Sequence, residues 1–146
     1  MERGRVVVDA SVIVKWFVEE EYSREARLMR DAYVNGILDL ATVSLLPYEV
    51  LNALKYSGAF GEDELKDVIQ VLDDFQFSLF NLKGELAVRA VEIGMRKGLT
   101  IYDASYVALT QVLNTVLYTA DEELIKKTKD ISRVKHIAEF EIGKIA

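Results

Sequence analysis

Residues 6–11 of the chain spell Val-Val-Val-Asp-Ala-Ser, and this stretch decides the fold class. Three consecutive β-branched apolar residues predict a short strand, Val6–Asp9, that is buried on both faces. A helical segment is predicted to follow from about Ser11. A buried strand that leads directly into a helix is typical of a βαβ unit, and strands of that kind form parallel sheets covered by helices.

The rest of the chain repeats this alternation. Further strands are predicted over Leu38–Val43, Phe77–Leu82, Val116–Thr119 and Val134–Ala138. Helices are predicted over Ser23–Val34, Ser44–Tyr56, Glu62–Phe75, Glu85–Lys97, Tyr102–Leu113 and Asp121–Thr128. The predicted fold class is therefore α/β, a single domain over residues 1–146 with a central parallel β-sheet flanked by helices on both faces.

Composition narrows the possible classes of protein. The 146 residues are 51% hydrophobic and carry a formal net charge of −6, which argues against disorder and against nucleic-acid binding by bulk positive charge. The absence of cysteine excludes disulfides, thiolate metal sites and cysteine nucleophiles. The N-terminal apolar run is interrupted by Asp9 and Lys15, and no run is long enough for a membrane span. We therefore expect a cytoplasmic protein that does not associate with membranes.

Four acidic residues stand where strands end or helices begin. Asp9 and Asp121 end the first and fourth predicted strands, whereas Glu49 and Asp103 lie near the starts of helices. In an open parallel sheet such positions share one edge, which is the edge at which these sheets bind ligands. Four carboxylates that converge there repel one another unless a divalent cation compensates their charge. Oxygen ligands of this kind suit Mg²⁺ or Mn²⁺.

Each acid taken alone has a simpler explanation. Asp and Glu are common at helix N-termini, where they accept backbone hydrogen bonds or interact with the helix dipole. Glu49 and Asp103 fit this explanation well, but Asp9 ends an apolar strand and is expected to be nearly buried. In the same way, Thr119 and Glu122 match the T-x-x-E pattern of a capping box.

Four segments, in order along almost the whole chain, resemble the PIN-domain family and in particular the VapC-type toxins of toxin–antitoxin pairs. VVVDASVIVKWF at residues 6–17 is similar to the family's first strand with its Asp and Ser. PYEVLNAL at residues 47–54 is similar to its Glu-x-x-Asn helix. LTIYDASYVALT at residues 99–110 and VLYTADEEL at residues 116–124 are similar to its Asp-x-x-x-x-Ala segment and its Thr-x-Asp strand end.

The resemblance implies a metal-dependent endoribonuclease that is the toxin of a type II toxin–antitoxin pair. It implies Mg²⁺ or Mn²⁺ as the cofactor, with metal-ligating and catalytic residues Asp9, Glu49, Asp103 and Asp121. It also implies supporting polar residues Ser11, Asn52 and Thr119. A metal-activated water would hydrolyse the phosphodiester of single-stranded RNA. The implied partners are an RNA substrate, a cognate antitoxin protein and a second copy of the chain in a homodimer.

The sequence lacks the motifs of other enzymes that carry acids or glycines after a first strand. The chain lacks the Asp-x-Asp pattern of haloacid-dehalogenase-like phosphatases, the P-loop pattern and the G-x-G-x-x-G pattern of dinucleotide sites. A non-catalytic PIN-like or receiver-like Mg²⁺-binding module that acts through protein interactions is the alternative. A receiver domain needs an acidic pair after its first strand, where this chain has only Asp9.

The remaining polar residues have ordinary explanations. His136 is far in sequence from every motif and is predicted to be structural or exposed. Glu122 and Glu123 either add to the acidic site or point to solvent. One basic segment is a solvated face or, alternatively, a guide for RNA, and it contains Lys126, Lys127, Lys129, Arg133 and Lys135.

Overall fold

A computed structural model describes residues 4–131 and 133–144. Its five strands are β1 (Gly4–Val8), β2 (Leu38–Val43), β3 (Ser78–Phe80), β4 (Leu117–Thr119) and β5 (Val134–His136). They form one sheet in the order β3-β2-β1-β4-β5, and all neighbouring strands are parallel. The predicted α/β fold with a central parallel sheet is confirmed. The predicted domain bounds, residues 1 and 146, lie outside the described residues.

In the described residues, seven α-helices connect and cover the strands. They are α1 (Ala10–Ile13), α2 (Ser23–Val34), α3 (Leu46–Tyr56), α4 (Glu62–Phe75), α5 (Gly84–Lys97), α6 (Ile101–Val112) and α7 (Glu122–Lys127). Short 3₁₀ segments are found at Val14–Trp16, Ile137–Glu139 and Ile142–Lys144. None of the helices in the described part of the chain is long and apolar enough to cross a membrane.

Most predicted bounds differ from the structure by one or two residues, and two of these differences have a clear structural cause. The third strand is shorter than the predicted Phe77–Leu82, because β3 is an edge strand that pairs with β2 over only three residues. The third helix begins at Leu46 rather than Ser44. The Ser44 N–H donates to the carbonyl of Phe80 at 2.9 Å, so this residue extends the pairing of β2 with β3 instead of starting the helix.

The middle of the sheet is buried on both faces. Val6, Val7 and Val8 on β1 are all buried, although successive side chains of a strand point to opposite faces. Val7 is in register with Leu117 of β4, and its N–H donates to the carbonyl of Val116 at 2.9 Å. This register brings the carboxyl ends of β1 and β4 side by side, so the residues that follow the two strands meet at one edge.

Helix α6 packs against β1, β2 and β4 and is the most buried of the long helices. Its seven consecutive residues from Ala104 to Thr110 are all buried. Gly94 allows α5 to approach it closely, since an added Cβ would lie 3.2 Å from Cδ1 of Ile101 and 3.3 Å from the carbonyl of Leu99. The tight packing fixes the start of α6, which carries Asp103.

Candidate active site

Asp9 directly follows β1 and is only 6% exposed. Its Oδ1 accepts hydrogen bonds from the backbone N–H and the hydroxyl of Ser11, at 3.1 and 2.5 Å. Its Oδ2 accepts a hydrogen bond from the hydroxyl of Thr119 at 2.5 Å. Asp9 is therefore the N-cap of α1, so the helix-capping explanation applies to this residue too. It is also a buried carboxylate whose two oxygens each accept a hydrogen bond from a hydroxyl group.

The two hydroxyl groups that contact Asp9 also join the ends of β1 and β4. The Ser11 Oγ accepts a hydrogen bond from the N–H of Ala120 at 2.8 Å, and the Thr119 Oγ1 accepts one from the N–H of Asp121 at 3.0 Å. The two hydroxyl oxygens are 3.3 Å apart. Ser11 and Thr119 thus hold the orientation of Asp9 relative to the segment that carries Asp121.

Asp121 begins α7 as its N-cap. Its Oδ1 accepts hydrogen bonds from the backbone N–H groups of Glu123 and Leu124, at 3.0 and 3.1 Å. The capping-box interpretation of Thr119 and Glu122 is wrong, because the cap lies two residues later and the Thr119 hydroxyl is used by Asp9 and Asp121. Glu122 and Glu123 are both exposed.

Glu49 is held by a residue that the sequence analysis did not single out. The buried hydroxyl of Tyr106, whose residue is 1% exposed, donates a hydrogen bond to Oε1 of Glu49 at 2.5 Å. Tyr106 lies three residues after Asp103, on the same face of α6. This spacing from Asp103 could have identified Tyr106 as a residue of the site, because a buried tyrosine hydroxyl needs a hydrogen-bond partner. The backbone N–H of Asp103 donates to Oγ1 of Thr100, which caps α6, at 3.1 Å.

Electrostatic interactions link the four acids in part: Asp9 interacts with Asp103 and Asp121, whereas Glu49 interacts with Asp103. Burial raises the pKa of Asp9 to about 6, the hydrogen bonds from Ser11 and Thr119 oppose this rise, and the charges of Asp121 and Asp103 add to it. Burial also raises the pKa of Glu49, the Tyr106 hydrogen bond opposes the rise and the charge of Asp103 adds to it. Burial and the charge of Asp121 raise the pKa of Asp103.

The carboxylate oxygens of the four acids are suitable ligands for a divalent cation, but their arrangement is not a complete coordination site. Within residues 4–131 and 133–144, no three His, Asp or Glu side chains are grouped so that they could hold an ion together as they stand. Glu49 is turned towards Tyr106, and Asp121 towards the backbone of α7. Each contact uses one carboxylate oxygen, Oε1 of Glu49 and Oδ1 of Asp121, and the four-ligand set stays a prediction.

A groove of about 830 Å³ opens beside Glu49. It runs between α3 and α4, and its apolar lining includes Leu45, Leu51, Leu65, Ile69 and Tyr102. Asn52, one turn after Glu49 on α3, is exposed and lines the same groove. Asn52 and Glu49 thus line one groove, and the implied supporting role of Asn52 at the acidic site stays a prediction.

His136 is structural, but it is nearer to the acids than its sequence position suggested. It is the register partner of Thr119 on the neighbouring strand. Its Nδ1 accepts a hydrogen bond from the N–H of Ala138 at 2.9 Å, and its own N–H donates to the carboxylate of Glu139 at 3.1 Å. These bonds cap the 3₁₀ segment that follows β5.

Comparison with known proteins identifies the family that this chain matches. A model of the PIN domain matches residues 6–130. The chain is 35% identical over 127 residues to Ribonuclease VapC3 of Pyrobaculum aerophilum. This alignment covers 84% of this chain and 94% of that protein. It is also 30% identical over 99 residues to Exonuclease VapC9 of the same organism, and this alignment covers 68% of this chain and 74% of that protein.

A solved structure gives the same result for the fold. A toxin–antitoxin complex from Klebsiella pneumoniae contains a chain with a TM-score of 0.69 and 20% identity, aligned over 92% of this chain and 99% of that one. The parallel sheet, the acidic edge and these similarities define the class of the protein. The chain belongs to the PIN domain family.

Proposed function

We propose that this PIN domain is a metal-dependent endoribonuclease that hydrolyses single-stranded RNA, and that it is the toxin of a type II toxin–antitoxin pair. One observation carries the proposal: buried Asp9 is fixed by two hydroxyl groups and lies within electrostatic reach of Asp103 and Asp121. Such a concentration of negative charge is suited to a divalent cation. A ribonuclease and an exonuclease are among the chain's relatives, which supports nuclease chemistry.

The four acids would hold Mg²⁺ or Mn²⁺, whose chemistry is to neutralise the scissile phosphate and to make a water more acidic. Ser11 and Thr119 keep both oxygens of Asp9 in fixed positions, so this carboxylate needs little reorganisation when it binds a cation. Tyr106 orients Glu49 by donating a hydrogen bond to its Oε1. Burial excludes water from Asp9 and strengthens its attraction for a cation.

An unpaired RNA strand is the substrate favoured by the position of these acids. Asp9 is buried, while Glu49 and Asp103 are half-buried, so a phosphate must enter a recess to approach all of them. A flexible single strand can present its backbone to such a recess more easily than a duplex can. We propose that the protein acts in the cytoplasm, where it would meet both RNA and its antitoxin.

The direct test uses the wild-type protein and four conditions. It should cut single-stranded RNA in Mg²⁺ or Mn²⁺, cut a duplex of the same sequence more slowly, and cut nothing in EDTA. The alternative, a non-catalytic PIN-like or receiver-like module, would bind the ion and cut nothing. Absence of cleavage over a broad panel of RNAs in both metals would support that module and reject the nuclease.

We propose that a segment of the cognate antitoxin occupies the groove between α3 and α4. The groove is lined by apolar side chains such as Leu65 and Ile69, and it opens beside Glu49, so a segment bound there lies next to the proposed active site. Ile69→Glu should therefore weaken inhibition by the antitoxin and leave the fold intact. Unchanged inhibition of that variant would reject the groove as the docking surface.

We propose that two copies of the chain associate through α5. Val88, Val91 and Met95 lie on one face of that helix and are 58%, 53% and 80% exposed. Their spacing of three and four residues makes a continuous apolar stripe, which is typical of a helix that packs against a partner. Sedimentation of the isolated chain should show a dimer, and Met95→Glu should give a monomer. A wild-type monomer at tens of micromolar would reject the dimer.

A further inference from the structure

Two exposed tyrosines stand directly beside two of the acids. Tyr48 precedes Glu49 on α3, and Tyr102 precedes Asp103 on α6. The tyrosines are 75% and 60% exposed, although both have an apolar ring. Adjacent residues of a helix point about 100° apart, so each ring lies to one side of its neighbouring carboxylate. Two aromatic rings therefore border the acidic edge of the sheet.

Both tyrosines line a second cavity, of about 260 Å³, in addition to the groove between α3 and α4. We call this second cavity the tyrosine pocket. Apolar side chains make most of its wall, among them Phe80 after β2 and β3 have paired, Leu86 of α5 and Ile101 of α6. All of its lining residues in the described part of the chain are uncharged, whereas the groove is lined by both acids and lysines. The tyrosine pocket is thus a neutral recess next to a strongly negative one.

The size and chemistry of the tyrosine pocket favour a flat, uncharged group. Its volume lies below the roughly 300–1,000 Å³ of pockets for drug-sized ligands, so it suits one ring system rather than a peptide segment. Ser105 is the buried polar residue of its lining, and its hydroxyl already donates to the carbonyl of Tyr102 at 2.6 Å. A phosphate finds no cation in this lining and is repelled by the acids beside it. The base is the part of an RNA strand that is flat, aromatic and uncharged.

We propose that the tyrosine pocket binds one base of the RNA strand, and that the rings of Tyr48 and Tyr102 contact this base while the backbone beside it lies at the acids. The inference rests on the proposed nuclease function. A base held there fixes the strand and brings a phosphodiester to Glu49 and Asp103 in a defined position. Contact between a base and aromatic rings needs no positive charge, which suits a chain with a net charge of −6.

The test compares two ligands, a ten-nucleotide single-stranded RNA and the same ribose–phosphate strand without bases. Binding is measured by fluorescence anisotropy in Ca²⁺, and the strands are checked for integrity afterwards. Tyr48→Ala and Tyr102→Ala should each weaken binding of the RNA by roughly fivefold to a hundredfold, the range expected when an aromatic ring that stacks on a base is removed. Binding of the base-free strand should not change. Tyr48→Phe keeps the ring and should bind both strands as wild type does.

Tyr56→Ala is the matched control. Tyr56 ends the same helix as Tyr48 and is 77% exposed, but it lines neither the groove nor the tyrosine pocket. This variant should bind both strands as wild type does. Salt gives a second readout: Tyr48→Ala loses no phosphate contact, so the slope of RNA affinity against salt concentration should equal that of wild type.

The outcomes separate this inference from the one on which it rests. If wild type cuts RNA in Mn²⁺, but Tyr48→Ala and Tyr102→Ala bind RNA as Tyr56→Ala does, the base pocket is rejected and the nuclease assignment stands. Equal weakening of both strands rejects it as well, because the rings would then act on the backbone or on the fold. Loss of a dimer in sedimentation with unchanged RNA affinity would assign the pocket to a second copy of the chain. If wild type binds neither strand and cuts nothing, the proposed function fails and the base pocket fails with it.

Discussion

Removing the charge of Asp9 should make the metal-free protein more stable. The pKa of Asp9 is about 6 in the folded protein, against an ordinary value of 3.8, and burial is the main cause. At about 1.4 kcal/mol for each pH unit, this rise means that ionised Asp9 costs the folded state about 3 kcal/mol. Asp9→Asn keeps the shape of the side chain and removes the charge. In EDTA at pH 8 it should raise the free energy of unfolding by as much as about 3 kcal/mol.

The hydrogen bonds around Asp9 can accommodate the amide. The asparagine Oδ1 can accept from the N–H and hydroxyl of Ser11, as the carboxylate oxygen does now. The amide NH₂ can donate to the Thr119 Oγ1, whose own proton can then turn towards the Ser11 Oγ, 3.3 Å away. No buried polar atom loses its partner, so the charge term dominates the change.

The pH dependence gives this prediction a sign that can be checked. Folded Asp9 holds its proton more tightly than the unfolded chain does. The contribution of Asp9 to wild-type stability is therefore highest below pH 4, falls as the pH rises from about 4 to 6, and stays low above that range. Asp9→Asn lacks this contribution. The difference between the two proteins should therefore be largest at pH 8 and should shrink towards pH 4.

The assay is urea unfolding in EDTA across this pH range, followed by the fluorescence of Trp16, which is the one tryptophan of the chain and is buried. Asp130→Asn is the control, because the hydrogen bond from Lys97 lowers the pKa of Asp130 and that variant should not be stabilised. Saturating Mn²⁺ should reverse the order, since it binds the folded wild type. A variant less stable than wild type at pH 8 would refute the reasoning.

Three further changes test the contacts around the acids and the packing beneath them. Thr119→Val leaves Oδ2 of Asp9 and the N–H of Asp121 without their partner, so we expect a loss of about 1 to 3 kcal/mol in urea unfolding. Tyr106→Phe removes the hydroxyl that donates to Glu49 and should cost about 1 to 2 kcal/mol by the same measurement, with no change in the far-ultraviolet spectrum. Gly94→Ala should lower the melting temperature, because its Cβ would press on the carbonyl of Leu99. An unchanged melting temperature would mean that α5 and α6 can separate freely.

Most of the fold could be predicted from local sequence patterns. The run Val6–Val8 indicates a strand that is buried on both faces, and the apolar spacing in Glu62–Phe75 matches the observed helix. The segment from Ser11 was predicted less well. It forms one helical turn followed by the 3₁₀ segment Val14–Trp16, whose end is fixed by a tertiary contact, the Trp16 Nε1 donating to the carbonyl of Ala26 at 2.7 Å. Local propensity carries no information about such a contact.

The shared edge of the four acids followed from topology, but their contacts did not. The bond from Thr119 to Asp9 depends on the register between β1 and β4, which join residues 110 positions apart. The bond from Tyr106 to Glu49 depends on how α6 packs near α3. His136 shows the same limit, because only the pairing of β5 with β4 brings it beside Thr119. Sequence patterns give the face on which a residue lies, whereas long-range packing decides which residues touch.

The most direct test of the account compares RNA cleavage by wild type, Asp9→Asn and Asp130→Asn. All three proteins are purified in parallel and incubated with the same single-stranded RNA in Mn²⁺ and in EDTA. Wild type and Asp130→Asn should cut the RNA in Mn²⁺ only. Asp9→Asn should cut nothing in either condition, while remaining folded, because the charge proposed to hold the ion is gone. Equal cleavage by Asp9→Asn and wild type would contradict the assignment of the active site to this edge of the sheet.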